Sequence, residues 1–175
     1  MMRDTLPLIE TKRLRLVAPA KRHVAAYQDF IGSDRAAALG WAGLPHDAWR
    51  TFASFLGHHL LMGFGPFVAE AKDDGRALGL FGPWWPDGQA EREIKWHIWS
   101  ATDEAKGLAF EAARATLTYA FGVLNWTTAV SYISFDNARS ANLARRLGAV
   151  QDGTWTTPRG TEVRVFRHPT PGALA

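Results

Sequence analysis

The sequence predicts a mixed α/β domain of the α+β kind. We expect a central, mostly antiparallel sheet of about six to seven strands, flanked by about four helices. Three observations carry this. Residues 66–99 hold three short strand-like runs in succession, joined by brief turns, which is the pattern of an antiparallel meander. The third of these runs is followed by an amphipathic helix and then a β-branched, aromatic run, which makes a βαβ unit with a parallel pair. No repeat, linker or low-complexity stretch interrupts the 175 residues, so 1–175 reads as one domain, large enough to bury its own core.

Taken in order, LIETKRLRLV (8–17) alternates apolar Leu14 and Leu16 with basic Arg13 and Arg15, the period of a half-buried strand. AKRHVAAYQDFI (20–31) sets Val24, Tyr27, Phe30 and Ile31 at helical spacing, and Gly32-Ser33-Asp34 stops it and offers a cap for a short turn over 34–39. DAWRTFASFLGHHLLM (47–62) is a second helix, with Trp49, Phe52, Phe55, Leu56 and Leu60 as its expected buried stripe. PFVAEA (66–71), the KDDG turn, RALGLFG (76–82), the PWWPDGQ loop and EREIKWHIW (91–99) form the meander. A helix over about 104–121 leads to the strand NWTTAVSYIS (125–134). FDNARSANLARRLGA (135–149) is a helix opened by Asp136 and Asn137, and a hairpin turning at Pro158-Arg159-Gly160 closes the fold before a frayed tail over 170–175.

Composition narrows the function classes. With no cysteine, a disulfide framework, a thiolate metal site and a cysteine nucleophile are all excluded. Net charge is +3 and no run of five basic residues occurs, so direct nucleic-acid binding is not expected, whereas an anionic small molecule suits the balance. Met1–Leu8 lacks an apolar leader and no stretch approaches a membrane span, so a soluble, cytoplasmic protein is expected, as monomer or homodimer. The histidines show no metal-ligand spacing and no carboxylate cluster accompanies them, so no metal is expected.

The stretch richest in chemistry is ATDEAKGLAFEAARATLTYAF (101–121). A turn running straight into a helix start exposes backbone N–H groups where the helix dipole is positive, which suits an anion. Gly107 and Ala109 are small enough to let phosphate approach the backbone, and Lys106 adds charge. The P-loop pattern is absent.

Four segments in this order resemble the GNAT superfamily of acetyl-CoA-dependent N-acetyltransferases, nearest the RimJ/RimL-like branch that acetylates ribosomal proteins. ETKRLRL (10–16) is similar to that branch's opening strand and EIKW (93–96) to its fourth strand. EAKGLAFEA (104–112) is similar to the coenzyme loop, and DNARSANLARRLGA (136–149) to the last helix. The loop departs from the pattern at Glu104, where the family favours Gln or Arg, and at Ala105, where many relatives carry glycine.

The resemblance implies acetyl-CoA as cosubstrate. Its pyrophosphate would be held by backbone of Glu104, Ala105, Lys106, Gly107, Leu108 and Ala109. Its pantetheine arm would lie on backbone of Ile98, Trp99 and Ser100, with Asn137 touching it as well. Ser140 is then the expected general acid, since the position of the alternative tyrosine holds Ala144. Strand alternation places Glu93, Lys95, His97 and Trp99 on one face, which makes Glu93 the first candidate base and His97 the second. Trp41, Trp84 and Trp85 are expected walls of the acceptor groove, with Trp49 beside them. The acceptor is a small amine or a peptide or protein N-terminus. The alternative function is a non-catalytic acyl-CoA-binding module of the same fold.

Overall fold

The structure is a computed structural model that describes residues 6–41 and 43–171, so the tail expected over 170–175 lies mostly outside the described residues. Among the described residues eight strands form one sheet, in the order β1-β2-β3-β4-β5-β6-β8-β7. They are β1 (Ile9–Glu10), β2 (Leu14–Val17), β3 (Phe67–Ala71), β4 (Ala77–Trp84), β5 (Glu93–Ile98), β6 (Val130–Ile133), β7 (Val150–Thr156) and β8 (Glu162–Arg167). The helices are α1 (Val24–Ile31), α2 (Asp34–Ala38), α3 (Pro45–Met62), α4 (Leu108–Gly122) and α5 (Ala138–Arg146). Every adjacent pair of strands is antiparallel except β5 and β6, which are parallel, as the βαβ reading expects.

Both counts exceed expectation, and each excess has a local cause. The single strand expected over 8–17 is two strands. Glu111 of α4 accepts from the Thr11 hydroxyl at 2.6 Å and the Arg13 backbone N–H at 2.8 Å, which pins a turn between β1 and β2. The expected short turn over 34–39 is a capped helix, because the Ser33 hydroxyl accepts from the Ala36 N–H. In the opposite direction, β6 covers only four residues of the ten-residue run expected to be strand.

The meander extends further than the sequence suggests. Strand β4 runs through Pro83 to Trp84, which pairs with Glu93. Proline fits there because β3 pairs with β4 only as far as Phe81, so no partner on that side needs its missing N–H. At Gly79 the two strands come close together: a Cβ would sit 2.2 Å from the His97 carbonyl oxygen.

The two sheet faces carry separate cores. On one, Tyr27, Phe30, Phe52 and Phe55 of α1 and α3 pack on Val68, Leu80 and Trp99. On the other, α4 packs Ala112 against Leu16, Phe67, Phe81 and Ile98, and α5 sets Ala141 and Ala144 against Ile133 and Phe166. In α3 the buried stripe is Ala48, Phe52, Phe55 and His59; Trp49 and Leu60, expected inside, are 54% and 70% exposed. They lie one position further round the helix, about 100° from that stripe. Among the described residues no helix is long and apolar enough to cross a membrane.

A buried polar pair secures the junction of β5 and β6. The Ser131 hydroxyl donates to the Ile94 carbonyl at 2.6 Å, so its contact with His168 Nε2 at 2.8 Å places the imidazole proton on Nε2. Nδ1 is then a buried lone pair without a partner among the described residues. Burial pushes the His168 pKa down from 6.5 to about 4. In the unfolded chain this imidazole takes up a proton below 6.5, and in the folded chain it does so only near 4. Stability therefore falls as pH drops through that window, by about 3 kcal/mol for this one group. Urea unfolding of the His168→Gln variant between pH 7 and 4 should show a shallower pH slope than the parent; an identical slope would contradict the assignment.

Candidate functional site

Strands β5 and β6 are paired at one register position only, Glu93 with Val130. There the Val130 N–H donates to the Arg92 carbonyl at 3.0 Å, and one step on the Ser131 hydroxyl takes the Ile94 carbonyl. Beyond that point β6 keeps register with β8 from Val130 to Ile133 but pairs no further with β5, which leaves an opening in the ladder between β5 and β6. The Trp99 N–H donates to Leu78 on the β4 side at 2.9 Å. Backbone groups alternate along a strand, so those of Trp96 and Ile98 face the opening. The Ile98 carbonyl accepts from Arg35 Nε at 2.9 Å, while the Trp96 amide and the Ile98 N–H have no sheet partner. Of the three residues expected to carry the coenzyme arm, Ile98 faces the opening; the Trp99 N–H is spent on β4, Ser100 lies past the end of β5 with its hydroxyl accepting from the Thr102 N–H, and Trp96, outside the expected set, takes a place beside Ile98.

Both helices that leave this edge point their N-termini toward it. The helix expected from about 104 begins at Leu108. Before it, Ala101–Asp103 form a single 3-10 turn, and the chain passes through left-handed Ala105 (φ 58°) and Gly107 (φ 75°). Glycine takes that conformation freely, but alanine there costs on the order of 1 kcal/mol, so the loop is held by its surroundings. The Glu104 N–H is already bound to the Ala101 carbonyl. Of the donors expected over Glu104–Ala109, the Glu104 N–H is therefore spent, while those of Ala105 to Ala109, and of Phe110 in the first turn of α4, have no hydrogen-bond partner among the described residues. A Cβ on Gly107 would meet Arg13 Nη2 at 3.5 Å, so an arginine stands beside the cradle. Its guanidinium also donates to the Lys106 carbonyl at 2.9 Å and to Glu111 at 2.7 Å. Lys106 itself sits 3.6 Å from Asp103, which is also held by Arg76. Free N–H groups, a residue without a side chain and flanking guanidinium charge fit a pyrophosphate.

Glu104, the departure from the family pattern, does not present free negative charge to this cradle. Its carboxylate bridges Arg35 of α2, at 2.5 Å, and Arg139 of α5. Burial works against its ionisation, but the Arg35 hydrogen bond and the charges of both arginines outweigh this and hold it below its ordinary value. The bridge links three elements around the mouth of the opening.

Asn137 caps α5, accepting from the Ser140 N–H at 3.0 Å. The Ser140 hydroxyl accepts from the Trp96 indole N–H at 3.3 Å, which leaves its own proton free to donate. On the opposite face of β5, His97 lies under Trp41 and against Phe30, with Nδ1 accepting from the Trp99 indole at 3.0 Å. Burial, with Lys95 and Arg35 adding to it, holds His97 far below its usual pKa, so it is neutral with its proton on Nε2. Glu93 is half-buried, and burial raises its carboxyl against the opposing pull of Lys95. Trp84 stacks on His58 at 4.7 Å beside Phe55, while Trp85 is anchored through its backbone N–H to His58 Nε2 and packs on the α4 side. Trp41 and Trp84 thus flank the two ends of the Glu93–Trp99 face, and Trp85 and Trp49 do not line it. Among the described residues no cluster of three or more His, Asp or Glu is placed to hold a metal.

Residues 13–150 match the family described as the acetyltransferase (GNAT) domain. An acetyltransferase from Agrobacterium tumefaciens is 29% identical, with a TM-score of 0.86 over 97% of this chain and 98% of that one. RimL, a ribosomal L7/L12 alpha-N-protein acetyltransferase solved with coenzyme A, is 15% identical, with a TM-score of 0.74 over 94% and 98% of the two chains. The aminoglycoside acetyltransferase AAC(6')-Ib, solved with coenzyme A and kanamycin, is 19% identical, with a TM-score of 0.73 over 93% and 96%. The last two share the fold. No curated protein matches the sequence.

Because Asn137 both caps α5 and fixes the Ser140 backbone, Asn137→Ala should cost about 1 kcal/mol, lowering Tm by roughly 2–4 °C for a domain of this size. Thermal unfolding followed by circular dichroism measures this; an unchanged Tm would show the cap to be dispensable.

Proposed function

The chain belongs to the GNAT acetyltransferase family, and from that premise we propose that it transfers an acetyl group from acetyl-CoA to a primary amine by direct attack within a ternary complex. The observation that carries this reading is the β5–β6 opening, where unpaired strand amides lie beside a helix N-terminus with free N–H groups. Neighbours of the same fold were solved with coenzyme A, which supports the cosubstrate.

Acetyl-CoA, when bound, supplies an activated thioester. The free N–H groups of Ala105 to Phe110, with Arg13 beside them, hold its phosphates. The Trp96 and Ile98 backbone groups orient the arm as an added strand would, and the Ile98 N–H supports negative charge on the acyl oxygen. Taking the arm there requires Arg35 to release the Ile98 carbonyl or to share it. Ser140, its lone pair engaged by the Trp96 indole, gives its proton to the departing sulfur. Glu93, five residues from Ile98 along β5, accepts the proton of the attacking amine through water. His97 is the weaker candidate, since its basic nitrogen is engaged by Trp99. With no cysteine to carry an acyl group, the amine attacks directly. The acceptor is a small amine or a peptide N-terminus.

Burial raises the Glu93 carboxyl, so the active, unprotonated form is gained as pH rises through a value above the ordinary carboxylate range. Glu93→Gln should lower kcat by about 100-fold or more and remove that acid limb of the pH–rate profile. A variant with the parent's rate and profile would exclude Glu93 as the base.

A further inference from the structure

A chain of ion pairs crosses the mouth of the β5–β6 opening. Arg35 of α2 donates to the Ile98 carbonyl through Nε at 2.9 Å and to Glu104 through Nη2 at 2.5 Å. Glu104 stands in the loop that leads from β5 to α4, and its second oxygen accepts from Arg139 in the first turn of α5. The chain therefore starts on the open edge of β5 and ends on the helix that follows β6. A coenzyme arm running from the α4 cradle to Ile98 meets it at both ends of its path, at Glu104 and at the Ile98 carbonyl.

The two halves of this bridge are unequal. The Arg35 and Glu104 side chains are 20% and 27% exposed, whereas that of Arg139 is 75% exposed. A forked, partly buried guanidinium holds its partners better than an exposed one. The inner half, which also holds Ile98, is thus the part that keeps the bridge shut. The neighbouring ion pairs do not reach the opening. Arg13 and Glu111 tie α4 to the turn between β1 and β2, and Arg76 and Asp103 tie the 3-10 turn to the start of β4.

We propose that the Arg35–Glu104–Arg139 bridge is a strap that closes over the opening and that the coenzyme displaces. This rests on the function proposed above, because it concerns the path of the same cosubstrate. Lying on β5 as an added strand, the arm brings an amide N–H to the Ile98 carbonyl, the acceptor that Arg35 holds. Phosphates entering beside Glu104 set like charge against its carboxylate and offer Arg139 a doubly charged partner. Each of these contacts competes with the strap. Apparent affinity and association rate then fall with the fraction of molecules in which the strap is open.

The test follows coenzyme A binding to the full chain by stopped-flow and calorimetry, in the parent and in two variants that leave net charge unaltered, so that attraction of the phosphates stays the same. Arg35→Gln combined with Glu104→Gln removes one charge of each sign and the inner half of the strap. Arg35→Lys keeps the charge but loses the fork that spans Ile98 and Glu104, and it carries the test alone if the double variant does not fold. Coenzyme A should associate about threefold faster or more with the double variant and bind it more tightly, with a smaller gain in Arg35→Lys. In the parent, the Arg35 Nε–H followed by NMR should exchange slowly and lose that protection when coenzyme A is added. Association at the parent's rate in both variants, weaker binding by the double variant, or an Arg35 Nε–H that coenzyme A leaves protected would each overturn the strap and leave the acetyltransferase reading standing. Failure of coenzyme A to bind the parent and both variants would overturn that reading as well.

Discussion

Two parallel strands that pair once and then part are the constraint on which the rest of this molecule depends. A parallel pair buried inside a sheet ordinarily satisfies its amides along its whole length. Here β6 is drawn away to β8, and its Ser131 hydroxyl substitutes for a ladder bond at Ile94, so the opening begins at a defined residue. Past Ile94, a short stretch of β5 is left with N–H groups that need an acceptor from elsewhere. The same edge receives the N-termini of α4 and α5, the natural consequence of a right-handed crossover leaving the carboxyl ends of parallel strands. Slot, anion cradle and capped helix therefore share one cause, the single parallel junction in an otherwise antiparallel sheet.

Much of this is legible in residue patterns. Alternation in EIKWHIW separates Glu93, Lys95, His97 and Trp99 from Ile94, Trp96 and Ile98, and the structure places these two sets on opposite faces. Asn137 announces the start of α5 by its type alone, whereas Gly107, read as a small residue for phosphate approach, proves to be the cap at which α4 begins, later than expected. What cannot be read is long-range and polar. Nothing near Arg35 in sequence marks it as a partner of the Ile98 carbonyl and of Glu104, 69 residues away. Nothing in KRLRL shows that the Arg13 backbone and side chain are fixed by Glu111. Helical spacing in α3 is plain and finds buried Phe52 and Phe55, but it also takes in Trp49 and Leu60, which lie about 100° round from buried Ala48 and His59, because aromatic Trp49 outweighs small Ala48 in any reading by hydrophobicity.

The distribution of charge separates two problems that the mildly basic composition merges. Around the cradle the guanidinium groups are mutually arranged through carboxylates, with Glu104 binding α2 and α5 and Asp103 binding Arg76 and Lys106. A loop built this way tolerates Glu104 because the carboxylate is neutralised locally, and it tolerates left-handed Ala105 because its flanks are fixed. Across the strand, the Glu93–Trp99 face is lined by aromatic rings, and it holds one carboxyl raised by burial next to one ammonium lowered by it. A carboxyl raised in this way suits proton transfer near neutral pH.

The open edge of β5 is where coenzyme binding can be tested most directly. Hydrogen exchange resolved to single amides by NMR, with and without coenzyme A, reports on it. The Trp96 and Ile98 amides should exchange readily in the free protein and become protected when coenzyme A is added, while the Trp99 amide, bound to Leu78, stays protected throughout. If coenzyme A binds and leaves the Trp96 and Ile98 amides exchanging as before, the opening between β5 and β6 is not where the cosubstrate lies.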